Sequence, residues 1–218
     1  MTISLNKYLD HTLLKADASV EDIMRLCQEA LAYGFASVCV NPCYAGLASN
    51  ILRGSGIKAA TVVGFPLGAS TTSTKVQEVK TALDDRALEL DVVINLGALK
   101  SGQWEAILAE MRAVVEAAED RCVKFIVETA LLTADEKRRI CELVLESGAH
   151  FIKTSTGFAP QGATVEDVRL FKSIIGEAGT LGIKAAGGIK TAAQALALIE
   201  AGATRIGTSH AVAIMQQV

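Results

Sequence analysis

The sequence has no long hydrophobic run. Nowhere in its 218 residues does an uninterrupted apolar stretch reach the roughly 18 residues that would suggest a membrane-spanning helix. The amino end, MTISLNKYLDHTLLK, lacks the apolar block of a signal peptide, so no membrane partner and a cytoplasmic location are expected. Charge of one sign is not in excess either: 24 acidic against 21 basic residues leave a formal charge of −3. That gives no electrostatic footprint for nucleic acid or an anionic membrane, and points to small-molecule partners. Histidine is scarce, and His11, His150 and His210 are not spaced as a ligand set, which disfavours zinc-dependent chemistry. Five cysteines (Cys27, Cys39, Cys43, Cys122, Cys141) are an odd number scattered through apolar segments without metal-finger spacing. A disulfide framework is therefore not expected, and the thiols should be reduced. Linkers, low-complexity tracts and shifts of composition are also lacking, so residues 1–218 are expected to form a single domain.

What is present is alternation. Half of the residues are apolar, enough for a large core. Short β-branched runs begin near Tyr8, Ala36, Lys58, Leu90, Val123, His150, Gly182 and Arg205, with amphipathic stretches between them. Between Gln103 and Asp120, for instance, Trp104, Ile107, Leu108, Met111, Val115 and Ala118 recur at steps of three and four, a helical period. Runs such as VVINL and KFIVE are apolar nearly throughout, as in a parallel sheet covered on both faces. Eight βα units in 218 residues are lean for a (β/α)8 TIM barrel of about 250. That barrel, with a short N-terminal segment, is nevertheless the expected α/β architecture; a doubly wound open sheet is the alternative.

In a barrel, function belongs at the carboxyl ends of the strands. Two lysines fall there, Lys153 in FIKTSTG and Lys184 in GIKAAGGIK. Strand six would place Lys153 and Ser155 on one face, strand seven Lys184 and Ala186, and strand four Asp91, Val93 and Asn95. Two lysines inside one barrel disfavour each other's protonation, and a neutral lysine can attack a carbonyl to form a Schiff base. The residues alone do not rank the two. Asp91 inside the barrel would need a cation, which either lysine could supply; it reads equally well as a strand-head residue in solvent. Gly187 and Gly188 after strand seven, with Gly207, Thr208 and Ser209 after strand eight, suit a phosphate cradle that Thr156 and Gly157 would complete. Each glycine pair reads by itself as a simple turn.

Eight ordered motifs then fall into one pattern: LDHTLLK, SVCVNP, VVGFPLGA, ELDVVINLGAL, FIVETALL, FIKTSTGF, IKAAGGIK and RIGTS. Over essentially its whole length the chain resembles the deoxyribose-phosphate aldolase family of class I aldolases. The resemblance implies a (β/α)8 barrel, no metal or other cofactor, and reversible cleavage of 2-deoxy-D-ribose 5-phosphate to D-glyceraldehyde 3-phosphate and acetaldehyde. It makes Lys153 the Schiff-base nucleophile, Lys184 the second lysine that keeps it partly neutral, and Asp91 the proton-transfer carboxylate. Asp10 and Thr12 become substrate contacts near the entrance, and Cys39 a residue bordering the pocket. Three departures stand out: His210 replaces a small hydroxyl residue, Phe158 replaces a lysine found in some relatives, and a tail with a terminal tyrosine is missing. Lys190 is the expected compensating cation, and proton transfer would rest on Asp91, lysine and water. The apolar content suits a subunit interface as well as a core, so a homo-oligomer such as a dimer is expected. Another Schiff-base lyase on the same barrel, or a non-catalytic sugar-phosphate binding protein, are the competing readings.

Overall fold

In a computed structural model that describes residues 4–177 and 179–218, eight parallel strands close into a barrel in sequence order. They are β1 (Leu9–Leu13), β2 (Ser37–Val40), β3 (Lys58–Val63), β4 (Glu89–Val93), β5 (Cys122–Ile126), β6 (Phe151–Lys153), β7 (Gly182–Ala186) and β8 (Arg205–Thr208). Closure is made by β8 against β1, with Leu9 opposite Ile206 and Asp10 opposite Gly207. Every strand starts within one residue of its expected position. A short 3-10 turn, Leu5–Tyr8, precedes the first.

The intervening helices are α1 (Val20–Tyr33), α2 (Ala45–Ile51), α3 (Thr72–Asp84), α4 (Leu96–Lys100), α5 (Trp104–Ala117), α6 (Ala134–Glu146), α7 (Val165–Ile175), α8 (Ala192–Glu200) and α9 (Ala211–Met215). Local chemistry starts them: Ser19, Thr133 and Thr191 each form a capping box with Asp22, Glu136 and Gln194. Each cap is worth about 1 kcal/mol. In α5 the buried face is Ile107, Met111 and Val114, followed by Ala118, and it joins Leu90, Val92, Val123 and Phe125 from the outer face of the sheet in the main core.

Strand alternation then decides what fills the inside. Leu90 and Val92 face the helices, so Glu89 and Asp91 face inward; Val123 and Phe125 likewise send Lys124 inward. One sector of the interior is apolar, a separate small cluster of Leu14, Cys39, Ala60 and Val62. Another sector holds the buried charges Asp10, Glu89, Asp91, Lys124, Lys153 and Lys184. Two expected strand faces end early: β6 stops at Lys153, leaving buried Ser155 in the following loop, and Asn95 lies beyond β4, where its side chain caps α4 by accepting from the Ala98 N–H.

Candidate active site

Asp91, fully buried on β4, is the hub. Its Oδ2 accepts from Lys153 Nζ at 2.7 Å and from Lys184 Nζ at 2.7 Å, while its Oδ1 accepts from Lys124 Nζ at 2.8 Å. Register brings these groups together: Lys153 lies opposite Lys184 across β6 and β7, and Asp91 opposite Lys124 across β4 and β5. Lys124 also stands 2.8 Å from Glu89 Oε2, and Lys184 2.6 Å from Asp10 Oδ2, an ion pair whose angle falls short of a hydrogen bond. Arg205 Nη1 joins both ends, 2.7 Å from Asp10 Oδ1 and 3.0 Å from Glu89 Oε2.

These surroundings separate the two lysines that the sequence left equivalent. For Lys153, burial weakens the hold on its proton and the Lys184 charge adds to that, against the pull of Asp91; the net shift is downward from the ordinary amine value. For Lys184 and Lys124 burial acts in the same sense, but each sits among carboxylates that outweigh it and raise its pKa. Burial is thus the leading cause of the lowered Lys153 value and the second lysine a lesser one. Asp91 is driven the other way, well below the usual carboxylate range, because Lys124, Lys153 and Lys184 together overcome its desolvation.

Above the hub lies a cleft of about 280 Å³ at the carboxyl ends of β1, β6, β7 and β8. Lys153, 2% exposed, forms its floor. Thr12, Thr156, Gly157, Gly187 and Gly188 line its walls, with Gly207, Thr208 and Ser209 on the β8 side. Phe158, His210, Lys190 and Lys15 are also at the rim. The larger surface groove, about 720 Å³ between α3 and α5, is lined by residues such as Gln77, Lys80 and Glu116 and lies outside the barrel. Size therefore does not identify the site; the buried charge beneath the smaller cleft does.

Asp10, expected near the entrance with Thr12, lies instead below the cleft. It is fully buried and engaged by Lys184 and Arg205. Cys39 does not line the cleft either: its Sγ is 3.9 Å from Asp91 Oδ2, and burial pushes the thiol up to about 11, which keeps it neutral. Two hydroxyls expected at the cradle are committed within the protein. Thr208 donates to Ile189 O at 2.6 Å and accepts from the His210 N–H, and Thr156 donates to the Glu128 carboxylate. Gly207 makes room rather than a turn, because a Cβ there would lie 3.0 Å from Lys184 Cε.

Sequence reasoning passed over Lys124, Glu89, Arg205 and Glu128. The first was hidden in KFIVE, where strand parity was the available signal: two residues before Ile126, Lys124 must face inward with it. Glu128 is the left-handed residue (φ 53°) that ends the strand-five segment, and its carboxylate also accepts from the Thr156 N–H.

A family model described as DeoC/LacD family aldolase matches residues 5–217. The chain belongs to that family. Among curated members, the deoxyribose-phosphate aldolase of Streptococcus equi subsp. zooepidemicus is 53% identical over 214 residues, covering 98% of this chain and 96% of that one. The enzyme of the same name from Carboxydothermus hydrogenoformans is 53% identical over 212 residues, covering 95% and 92%. Among solved structures, the deoxyribose phosphate aldolase of Aeropyrum pernix, described as a tetramer, superposes with a TM-score of 0.90 at 34% identity, covering 97% of this chain and 89% of that one. Another solved aldolase superposes with a TM-score of 0.94 at 42% identity, covering 99% and 96%. The protein is thus an aldolase on a TIM barrel, a carbon–carbon lyase. Among its described residues no helix is long and apolar enough to cross a membrane, and no group of three or more His, Cys, Asp or Glu could hold a metal ion.

Proposed function

We propose that this aldolase reversibly cleaves 2-deoxy-D-ribose 5-phosphate to D-glyceraldehyde 3-phosphate and acetaldehyde, through a Schiff base on Lys153. The observation that carries the reading is a buried lysine on the floor of the cleft, with its pKa lowered, beside two others held as ammonium ions. As a free amine, Lys153 adds to the C1 aldehyde of the open-chain sugar; loss of water leaves an iminium. That iminium accepts the electron pair of the C2–C3 bond as the C3 hydroxyl gives up its proton, releasing glyceraldehyde 3-phosphate and leaving an enamine. Protonation at C2 and hydrolysis return acetaldehyde and Lys153. The 2.7 Å contact with Asp91 Oδ2 is the route by which the nitrogen sheds protons as it becomes an imine, and Lys184 on the same oxygen can return them.

Phosphate recognition belongs to the loops after β6, β7 and β8. With Thr156 and Thr208 hydroxyls engaged internally, the grip falls to the glycine backbone of these loops and to the rim cations Lys15 and Lys190. Gly162 supports the β7 loop from behind: a Cβ there would sit 2.0 Å from Gly187 O. Gly162→Ala must therefore displace that loop. It is expected to raise KM for the phosphorylated sugar by about tenfold or more, a 1.4 kcal/mol effect, while kcat changes less. A homo-oligomer is proposed by analogy with the Aeropyrum pernix tetramer.

The test of the reading is incubation with acetaldehyde and borohydride followed by peptide mapping. A saturable ethyl adduct on Lys153 that deoxyribose 5-phosphate suppresses is the expected result. Adducts spread over surface lysines would overturn the mechanism, and suppression by free deoxyribose at equal concentration would overturn the phosphate assignment.

A further inference from the structure

The ion pairs under Lys153 close on themselves. From Arg205 one arm passes to Glu89 (3.0 Å), Lys124 (2.8 Å) and Asp91 (2.8 Å). The other passes to Asp10 (2.7 Å), Lys184 (2.6 Å) and the same Asp91 (2.7 Å). Six side chains from five strands thus form a ring in which every cation lies between two anions. Three carboxylates and three cations make that ring neutral. Lys153, attached to it at Asp91, is the seventh group; as an ammonium it would leave the buried assembly with one uncompensated positive charge, and as an amine it leaves none.

We propose that Arg205 and Glu89, at the amino ends of β8 and β4 and remote from the cleft, are positioning residues that keep Lys153 a free amine by closing this neutral ring. Lys153 is faced directly by Asp91 from β4, Lys184 from β7 and the Cys39 thiol from β2, with Lys124 on β5, Asp10 on β1, Glu89 and Arg205 in the next shell of charge. Glu128, at the end of the strand-five segment, is occupied by Thr156. Arg205 is the ring member at the solvent margin, its side chain 15% exposed and its guanidinium 5.4 Å from the centre of the Phe151 ring. Carrying a charge that neutral pH cannot remove, it supplies a fixed positive count where a lysine would be free to titrate.

The sign of the effect follows from counting. Without the Arg205 charge the ring is one positive charge short of balance, an ammonium at Lys153 restores neutrality, and a higher pH is needed before the amine appears. Without the Glu89 charge the ring is already positive, and Lys153 loses its proton more readily.

The inference rests on Lys153 being the Schiff-base residue, so the experiment reads that step directly: the pH dependence of borohydride-trapped acetaldehyde adduct at Lys153, alongside kcat/KM. Arg205→Met is expected to move the acidic limb up, and Glu89→Gln to move it down. Each shift should be about 0.5–1 pH unit, less than an adjacent charge produces. The double variant, neutral again, should return near the wild-type limb, and Arg205→Lys should stay on it while its charge is retained. Limbs that do not move, or that move the same way in both single variants, overturn the proposal. Absence of a Lys153 adduct in the wild type overturns the Schiff-base reading instead. If the single variants fail to fold, folding of the double variant supports the balance argument and its failure refutes it.

Discussion

Lys153→Ala is expected to abolish aldol cleavage, by about 10⁴-fold or more as for other covalent nucleophiles, while leaving the protein as stable as the wild type or more so. The two halves of this result have one cause. Removing Lys153 takes away the amine that must carry the iminium, yet it leaves Asp91 paired with Lys124 and Lys184 and the ring of charge neutral. A buried lysine whose ammonium form is disfavoured contributes little to folding, and truncation leaves no carboxylate unpaired. The measurements are kcat with deoxyribose 5-phosphate, the borohydride adduct, and thermal unfolding. Retained turnover would remove Lys153 from its assigned role. A collapse of stability without a separate loss of chemistry would mean that the lysine is structural.

The barrel was legible because short apolar, often β-branched runs alternate with stretches of helical period, and several of the runs carry a polar group near the carboxyl end. Lys153, Lys184 and Asp91 stood out for the same reason, as isolated charges in apolar runs. What remained hidden was partnership. KFIVE reads as a covered strand, and only the register that sets Asp91 opposite Lys124 reveals that its lysine is inside the barrel. Glu89 and Arg205 begin their strands, where a charge ordinarily marks solvent. Nothing local says that they meet across the barrel floor at 3.0 Å, 116 residues apart. Asp10 was misjudged in depth for a related reason: strand parity tells which face a side chain takes, but its height along the barrel axis is set by the shear that closure imposes. Thr156 and Thr208 carried the right composition for a phosphate cradle, but their hydroxyls are satisfied by Glu128 and Ile189 O, contacts that no short motif encodes.

Asp91→Asn is expected to damage both stability and chemistry, in contrast to the lysine beside it. The substitution keeps the shape but removes the one anion that Lys124, Lys153 and Lys184 share, and turns a ring of alternating charge into a cluster with two uncompensated cations when Lys153 is protonated. Breaking a buried pair costs about 3–5 kcal/mol, and losing the proton acceptor at the imine nitrogen should lower kcat by about 10²–10⁴-fold. Acid unfolding provides the check on cause. The folded pKa of Asp91 lies well below the unfolded value of about 3.9, so its contribution is fully present above that value and fades as the pH falls toward the folded one. The asparagine variant has no such contribution to lose. Its deficit in Tm should therefore be largest near neutrality and shrink as the solution is acidified below about pH 4. A deficit independent of pH would trace the damage to packing around the amide rather than to the missing charge.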